Sequence, residues 1–203
     1  MRIGIFGGTF NPPHVGHINS CKIFLEKLQL DKLFVIPVFS PPHKSLNSMA
    51  SPKSRMEMCR LAFAGISNKI EISDVEISRK GKSYTADTIA HFKSLGYNDV
   101  YFLCGTDMLL TLDSWYRPDY IFENATIVYA RRENDEDKTV LIEKKVKAYK
   151  EKFSARIVLL ELDSIEMSSS IVRERISNNE SINCYVTSEV AEFIKKNGLY
   201  KEE

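Results

Sequence analysis

The fold is decided by residues 1–17, which read Met-Arg-Ile-Gly-Ile-Phe-Gly-Gly-Thr-Phe-Asn-Pro-Pro-His-Val-Gly-His. The first six residues form a short apolar run that is typical of a buried strand. Beyond the stretch, apolar residues recur three or four positions apart, as one face of a helix requires: Ile18, Cys21, Leu25 and Leu28. The stretch therefore predicts a loop that joins a strand to a helix.

The chemistry of this loop suits a bound anion. Gly7 and Gly8 carry no Cβ, so the backbone can turn sharply there and a ligand can approach its N–H groups. The first N–H groups of the following helix lack partners and the helix dipole is positive at that end. His14 and His17 lie three positions apart at the same end. The loop therefore predicts a phosphate site.

Other interpretations of the same residues remain open at this point. Glycine-rich turns between strands and helices are common and often purely structural. The His-x-x-His spacing also suits metal ligation, but no Cys or acidic residue lies nearby to complete a zinc site. Neither the dinucleotide fingerprint G-x-G-x-x-G nor the P-loop motif is present.

Composition describes an ordinary globular protein and excludes several function classes. With 203 residues, 43% of them hydrophobic and 27% charged, we expect a single domain over residues 1–203. A net charge of +1 favours neither a nucleic acid nor a membrane as partner. Without a targeting segment or a long apolar run, a cytoplasmic location is expected. The four cysteines form no C-x-x-C pair, which indicates reduced thiols.

Apolar runs alternate with helical patterns along the rest of the chain. This order predicts an α/β fold, a Rossmann-like doubly wound sandwich with a mainly parallel sheet. We expect the first strand to be central and ligands to bind at the carboxyl ends of the strands. The remaining strands are predicted at 33–38, 70–77, 99–104, 125–130 and 156–162, and the remaining helices at 54–65, 83–95, after 167–173 and at 186–197.

Polar residues follow two of these predicted strands. His43 and Lys44 come after Pro-Pro beyond the second run, where a plain polar loop is the alternative. Gly105 and Asp107 follow the third run, where a glycine lets a sugar approach and a carboxylate can bond hydroxyls or a base. Asp107 could equally cap a helix.

A second motif lies at residues 167–173, Met-Ser-Ser-Ser-Ile-Val-Arg, just before a helical pattern. Hydroxyls and unpaired N–H groups would gather there at a positive helix end, with the Arg173 guanidinium one turn further in. Three serines before a helix are often only caps.

At these motifs the chain resembles a known family. The segment 7–17 is similar to the first signature of the nucleotidyltransferases with an H-x-G-H motif, and more narrowly of the bacterial nicotinate mononucleotide adenylyltransferases. That family often has Asp where this chain has Asn11. Its second signature is Ile-Ser-Ser-Thr-x-Ile-Arg, from which Met167, Ser170 and Val172 depart while keeping size or hydroxyl. The spacing Phe-x-x-Gly-x-Asp-x-x-x-x-Leu-x-x-Trp at 102–115 is a moderately specific match.

The resemblance covers nearly the whole chain and implies transfer of AMP from ATP to nicotinate mononucleotide. The products would be nicotinate adenine dinucleotide and pyrophosphate, a step in NAD biosynthesis. Because the attacking phosphate is already an anion, no general base is needed, and catalysis depends on alignment and charge stabilisation. Magnesium should arrive with ATP, without a metal site of the protein's own.

The resemblance also assigns roles to residues. A helix end around Tyr84 and Thr85 would hold the nicotinate carboxylate, and the ring would pack against Trp115. The catalytic candidates are His14, His17 and Arg173. The ATP-binding candidates are Gly7, Gly8, Thr9, Phe10, His14, His17, Gly105, Asp107, Ser168, Ser169, Ser170 and Arg173. The candidates for binding the mononucleotide are His43, Lys44, Tyr84, Thr85, Trp115 and Arg132.

Two alternatives stay open at the level of the sequence. One is nucleotidyl transfer to another phosphate acceptor such as phosphopantetheine, against which the Ser-Tyr-Thr segment and Trp115 count. The other is a non-catalytic module that senses a nucleotide, which an assay of ATP turnover would distinguish. The acid and the amide mononucleotide are both compatible with the sequence, and the oligomeric state is not predicted.

Overall fold

The computed structural model describes residues 1–40, 49–132, 138–162 and 167–201. Strands and helices alternate along the described chain, as predicted. The strands are β1 (Arg2–Gly8), β2 (Lys32–Pro37), β3 (Ile70–Ile72), β4 (Asp99–Gly105), β5 (Thr126–Arg132) and β6 (Ile157–Leu162). The helices are α1 (Val15–Lys27), α2 (Pro52–Phe63), α3 (Val75–Arg79), α4 (Thr85–Ser94), α5 (Thr106–Thr111), α6 (Pro118–Asn124), α7 (Thr139–Phe153), α8 (Ser169–Ser177) and α9 (Ser188–Lys196), with a 3₁₀ turn at Leu112–Ser114.

The strands form one parallel sheet in the order β3-β2-β1-β4-β5-β6. Strand β1 pairs in parallel with β4 from Arg2 opposite Asp99 to Ile5 opposite Phe102. Because β1 lies between β2 and β4, the prediction of a central first strand is confirmed. The Rossmann-like α/β fold is confirmed as well.

The described residues pack as two compact units. The first unit falls within Met1–Gly7, Ile23–Phe34 and Tyr84–Ile165, and the second within Gly8–Lys22, Val35–Ser83 and Glu166–Glu203. In the first, β4, β5 and β6 pair side by side. Helices α4, α6 and α7 pack against one another there, and α5 packs against α7. The expectation of a single domain over residues 1–203 stays a prediction.

Helix α2 organises the second unit. Its N-terminus begins at Pro52 and is capped by Ser51, whose side chain accepts a hydrogen bond from the Ser54 amide. Proline is favoured at such a first helical position because its missing N–H is not needed there. Buried side chains such as Met58 and Phe63 face inward, and α2 packs against α9 and β3.

The predicted extended segment over 70–77 is half wrong. Ile70–Ile72 forms β3, but Val75–Arg79 is the short helix α3. The amide of Ser78 donates to the Asp74 carbonyl at 2.8 Å, and the Ser78 hydroxyl donates to the Asp74 carboxylate at 2.7 Å. These local hydrogen bonds close a helical turn. The alternation of only two apolar residues, Val75 and Ile77, is too short a pattern to exclude such a turn.

The cysteines agree with the expectation of reduced thiols. Cys21, Cys59 and Cys104 are buried and Cys184 is exposed, and none of these four is in a disulfide. Burial raises the pKa of Cys104 to about 12, so this thiol stays protonated. Among the described residues, no helix is both long and apolar enough to cross a membrane.

Candidate active site

The chain turns after β1 at Phe10. The predicted turn at Gly7 and Gly8 is wrong, because both are the last residues of the strand, and the Gly8 carbonyl accepts from the Val38 amide at 2.9 Å. Phe10 has a φ of 48°, which bulky residues rarely adopt. Its side chain is only 1% exposed, so burial of the ring offsets this backbone cost. A Cβ on Gly8 would lie 3.0 Å from the Phe10 ring.

The two histidines of the first motif are stacked. Helix α1 begins at Val15, and the rings of His14 and His17 lie 3.7 Å apart with an interplanar angle of 30°. The His14 amide donates to Nδ1 of His17 at 3.1 Å. Because Nδ1 is the acceptor, we infer that the neutral His17 ring carries its proton on Nε2. Nε2 can then donate to a phosphate oxygen.

Glycine is required between the two histidines for a steric reason. A Cβ on Gly16 would lie 3.0 Å from Nδ1 and 3.1 Å from Cε1 of His14. His14 is 4% exposed, so its ring has little room to move away. The small residue therefore allows both rings to share the start of α1.

The second motif forms the start of α8. Ser168 is the N-cap, and its hydroxyl accepts a hydrogen bond from the Ile171 amide at 3.2 Å. The structural alternative, that these serines cap a helix, is thus confirmed for Ser168 alone. The backbone N–H groups of Ser169 and Ser170, the first two residues of α8, have no acceptor within the helix, so they can bind an anion.

The structure brings the two motifs together. Ser169 donates from its hydroxyl to the Pro12 carbonyl at 2.8 Å. Nη1 of Arg173 donates to the Asn11 carbonyl at 2.8 Å, and its Nη2 donates to the Ser170 hydroxyl at 3.3 Å. These contacts join segments 157 and 162 positions apart in sequence. A cation, hydroxyls and a helix N-terminus therefore lie against the loop that leads to His14, an arrangement suited to a polyphosphate.

A buried cation supports this loop and was missed from the sequence. Arg55 of α2 is fully buried and donates to three carbonyl oxygens, of Thr9 at 2.9 Å, Ala50 at 3.1 Å and Phe39 at 3.1 Å. No sequence pattern indicates this role of Arg55, because all three acceptors are main-chain oxygens outside α2. Two of them, in Thr9 and Phe39, are also far from Arg55 in sequence.

The remaining ATP candidates lie in the first unit. Gly105 is the N-cap of α5, and no side chain bonds that cap. Asp107 lies in the first turn, so the alternative that it caps the helix is wrong. Its carboxylate is 87% exposed and accepts from Lys138 Nζ at 2.8 Å. An exposed carboxylate with one cation partner can still exchange that partner for a sugar hydroxyl.

Candidate residues for the mononucleotide also lie in the first unit. Tyr84 is the N-cap of α4, where its side chain makes no capping hydrogen bond, and Thr85 is the first residue of the helix. The hydroxyl of Ser83, the residue before this cap, accepts from the Phe39 amide at 3.1 Å. The Tyr84 ring lies 4.6 Å from the ring of Tyr116, which is half exposed and was not assigned from the sequence.

Trp115 is held by two contacts. Its indole N–H donates to the Thr111 hydroxyl at 3.3 Å, and its ring meets the Phe102 ring edge-on at 6.3 Å. Arg132 is the last residue of β5. His43 and Lys44 lie outside the described residues. Over residues 1–40, 49–132, 138–162 and 167–201, no group of three or more His, Cys, Asp or Glu side chains is placed to hold a metal ion.

Comparison with known proteins identifies the family of the chain. The model of the cytidylyltransferase-like family matches residues 5–175. A Clostridium tetani protein that is named a nicotinate-nucleotide adenylyltransferase is 38% identical to this chain, over 97% of this chain and 98% of its own length. One so named from Clostridium acetobutylicum is 39% identical over 97% of each chain.

Solved structures share the fold. A Plasmodium falciparum nicotinic acid mononucleotide adenylyltransferase complexed with NaAD has a TM-score of 0.78 at 20% identity, covering 98% of this chain and 97% of its own. The same protein complexed with APC has a TM-score of 0.75 at 22% identity, covering 98% and 96%. These structures show the fold alone, and the sequence relatives, matched over nearly their full length, define the family. The chain belongs to the nicotinate-nucleotide adenylyltransferases, within the cytidylyltransferase-like family.

Proposed function

We propose that this protein transfers AMP from ATP to nicotinate mononucleotide, giving nicotinate adenine dinucleotide and pyrophosphate. The observation that carries the proposal is the contact of Arg173 and Ser169 with the loop that leads to His14 and His17. One cation, several hydroxyl groups and two imidazole rings thereby lie along a single stretch of backbone. Reaction of a polyphosphate needs such a set of fixed donors.

The reaction needs alignment more than proton transfer. The phosphate of the mononucleotide attacks the α-phosphorus of ATP, the new P–O–P bond forms, and the bond to pyrophosphate breaks with its electron pair on the leaving oxygen. Both reactants are anions that repel each other, so held geometry and positive charge lower the barrier. Nε2 of His17, whose Nδ1 is occupied by the His14 amide, is the donor we assign to the transferred phosphate.

We assign the leaving group to the second motif. Negative charge grows on pyrophosphate as it departs, and the start of α8 offers hydroxyls, N–H groups and the Arg173 guanidinium to stabilise it. We assign Ser168, Ser169, Ser170 and Arg173 to the β- and γ-phosphates. Gly7, Gly8, Thr9, Phe10 and His14 complete the assigned phosphate loop, and Gly105 and Asp107 are assigned to the nucleoside.

The acceptor would be recognised at the nicotinate end. We assign its carboxylate to the start of α4, at Tyr84 and Thr85, because a helix N-terminus favours an anion. Trp115 supplies an aromatic face, and Arg132, His43 and Lys44 remain candidates for the mononucleotide phosphate. Magnesium, bound to ATP, would neutralise part of the phosphate charge. A cytoplasmic location stays a prediction.

The test is pyrophosphate release by the purified chain from ATP and magnesium chloride, with each acceptor offered separately. We expect fast release with nicotinate mononucleotide and slower release with the amide, which lacks the carboxylate charge. If pyrophosphate is released only with phosphopantetheine, that compound replaces nicotinate mononucleotide as the proposed acceptor. If no pyrophosphate is released with any of the acceptors, the chain is a module that binds nucleotide without turnover.

A matched pair of variants ties the activity to the site. Arg173→Ala should lower kcat/KM at least about 100-fold, since one donor of a phosphate site is lost. Arg175→Ala removes the same charge from the same helix, where Arg175 pairs with Glu180 at 2.8 Å, and should leave the rate within about twofold. Equal rates for the two variants would contradict the assignment of Arg173.

A further inference from the structure

We propose that Tyr200 is a positioning residue for the phosphate site, acting through Asn11. Neither residue is among those assigned to ATP or to the mononucleotide, and the inference rests on the proposed function. Its physical basis is a chain of hydrogen bonds behind the phosphate loop that ends on Arg173.

Asn11 connects the two ends of this chain. Its side chain is 6% exposed, and Oδ1 accepts two hydrogen bonds, from the Ala50 amide at 2.9 Å and from the Tyr200 hydroxyl at 2.8 Å. The amide of Ala50 can only donate, which fixes the oxygen of Asn11 on this side. The main-chain carbonyl of the same residue accepts from Arg173 Nη1 at 2.8 Å. Rotation of Asn11 would therefore move the acceptor that orients the guanidinium.

Tyr200 reaches Asn11 at some conformational cost. It follows α9 and has a φ of 65°, in the left-handed region that L-residues seldom occupy. Burial raises the pKa of its hydroxyl, so the group stays protonated and remains a donor. Helix α9 packs on α2, which fixes the segment that carries the tyrosine.

Arg55 closes the network from the other side. Its guanidinium accepts nothing and donates to the carbonyls of Ala50 and Thr9, at 3.1 Å and 2.9 Å. Ala50 is thus bonded through its N–H to Asn11 and through its carbonyl to Arg55. Residues 9 and 11 of the loop are both held, one by the buried cation and one by the tyrosine hydroxyl. Loss of the Tyr200 hydroxyl removes one of the two hydrogen bonds that Oδ1 of Asn11 accepts, and so weakens the hold on the residue whose carbonyl orients Arg173.

The test is Tyr200→Phe, which deletes one hydroxyl and keeps the ring. Adenylyl transfer is measured at a temperature where the variant is folded by circular dichroism. We expect kcat/KM for ATP to fall about fivefold, the effect of one buried hydrogen bond, and to fall mainly in kcat because Arg173 acts on the departing pyrophosphate.

A double-mutant cycle shows whether the effect passes through Asn11. Asn11→Ala removes the acceptor, so adding Tyr200→Phe to it should lower kcat/KM no further. Asn11→Asp keeps an acceptor oxygen, and in that background Tyr200→Phe should again lower kcat/KM about fivefold. Effects that simply multiply in the alanine background would overturn the proposal.

Tyr149→Phe is the control for stability alone. Its hydroxyl is likewise bonded on the inside of the chain, to the Leu109 carbonyl and the Asp113 carboxylate, both at 2.9 Å. The Tyr149→Phe variant should lower the midpoint of unfolding as Tyr200→Phe does. It should not lower kcat relative to KM for ATP. If the wild type is active and Tyr200→Phe has an unchanged kcat, the proposed function is upheld and the positioning role of Tyr200 is overturned.

If the wild type transfers no AMP to any acceptor, the proposed function fails on its own. The same cycle is then run by calorimetry on the affinity for pyrophosphate, the leaving group assigned to Arg173, with magnesium present. A fivefold weaker affinity in Tyr200→Phe, absent in the Asn11→Ala background, would support the positioning role. Equal affinities would overturn it.

Discussion

At the scale of single residues, the first motif divides its tasks between neighbouring positions. His17 accepts the His14 amide with Nδ1, which leaves Nε2 as a donor. Gly16 makes room for the His14 ring, since a Cβ would lie 3.0 Å from it. Each residue type therefore has a physical reason.

Replacement of His17 tests that division. His17→Ala should lower kcat by more than about 100-fold while the chain stays folded, the order expected for loss of one electrostatic contact in the transition state. His17→Asn offers an oxygen acceptor near the position of Nδ1 but no donor at Nε2, so it should be impaired to a similar extent. Both are measured as pyrophosphate release at saturating ATP, with circular dichroism as the check on folding.

His91→Ala is the control for this pair. His91 is an exposed histidine on α4, so its removal should leave kcat within about twofold. A folded His17→Asn variant with wild-type kcat would remove Nε2 from the mechanism.

The residue scale also shows where sequence reasoning stops. Both histidines, the serines and Arg173 could be singled out because their chemistry and spacing are local. The turn at Phe10 could not, because its φ of 48° is tolerated only where the ring becomes buried. Arg55 and Tyr200 could not be found either, since their acceptors lie in segments that only the folded chain brings near.

At the scale of elements, long apolar patterns were predictable and short ones were not. The strands at 99–105 and 126–132 are near the predicted positions, because each contains a continuous run of apolar residues. Helix α3 was missed, since the local bonds of Ser78 to Asp74 decide between helix and strand over so few residues.

One contact between elements predicts a dependence of stability on pH. Asp113, in the 3₁₀ turn, accepts from Lys145 at 2.9 Å and from Tyr149 at 2.9 Å, both on α7. Although burial acts in the opposite direction, these hydrogen bonds hold the pKa of Asp113 below its ordinary value. The contact therefore stabilises the fold above about pH 4, and the contribution is lost as the pH falls through the lowered pKa.

Urea unfolding of the wild type and of Asp113→Asn at several pH values measures this effect. The wild type should have the larger free energy of unfolding near neutral pH, and the difference should shrink below about pH 4. Asp119→Asn, an exposed substitution on α6, controls for the loss of one negative charge. A difference for Asp113→Asn that stays constant down to pH 2 would contradict the account.

At the scale of the whole molecule, the sheet order follows from the alternation of strands and helices. The parallel pairs and the interior position of β1 were predictable because right-handed crossovers leave few arrangements. The division of the described residues into two compact units was not, since packing between side chains decides it. The match of full-length relatives to 97% or more of this chain fits the extent of the resemblance.

The central claim is that AMP passes from ATP to nicotinate mononucleotide. The most direct measurement follows ATP labelled at its α-phosphorus, with magnesium and nicotinate mononucleotide, and separates the products by chromatography. We predict that the label enters the dinucleotide in one-to-one ratio with unlabelled pyrophosphate, and that Arg173→Ala slows both equally. Label that stays in ATP or appears as free AMP would contradict the account.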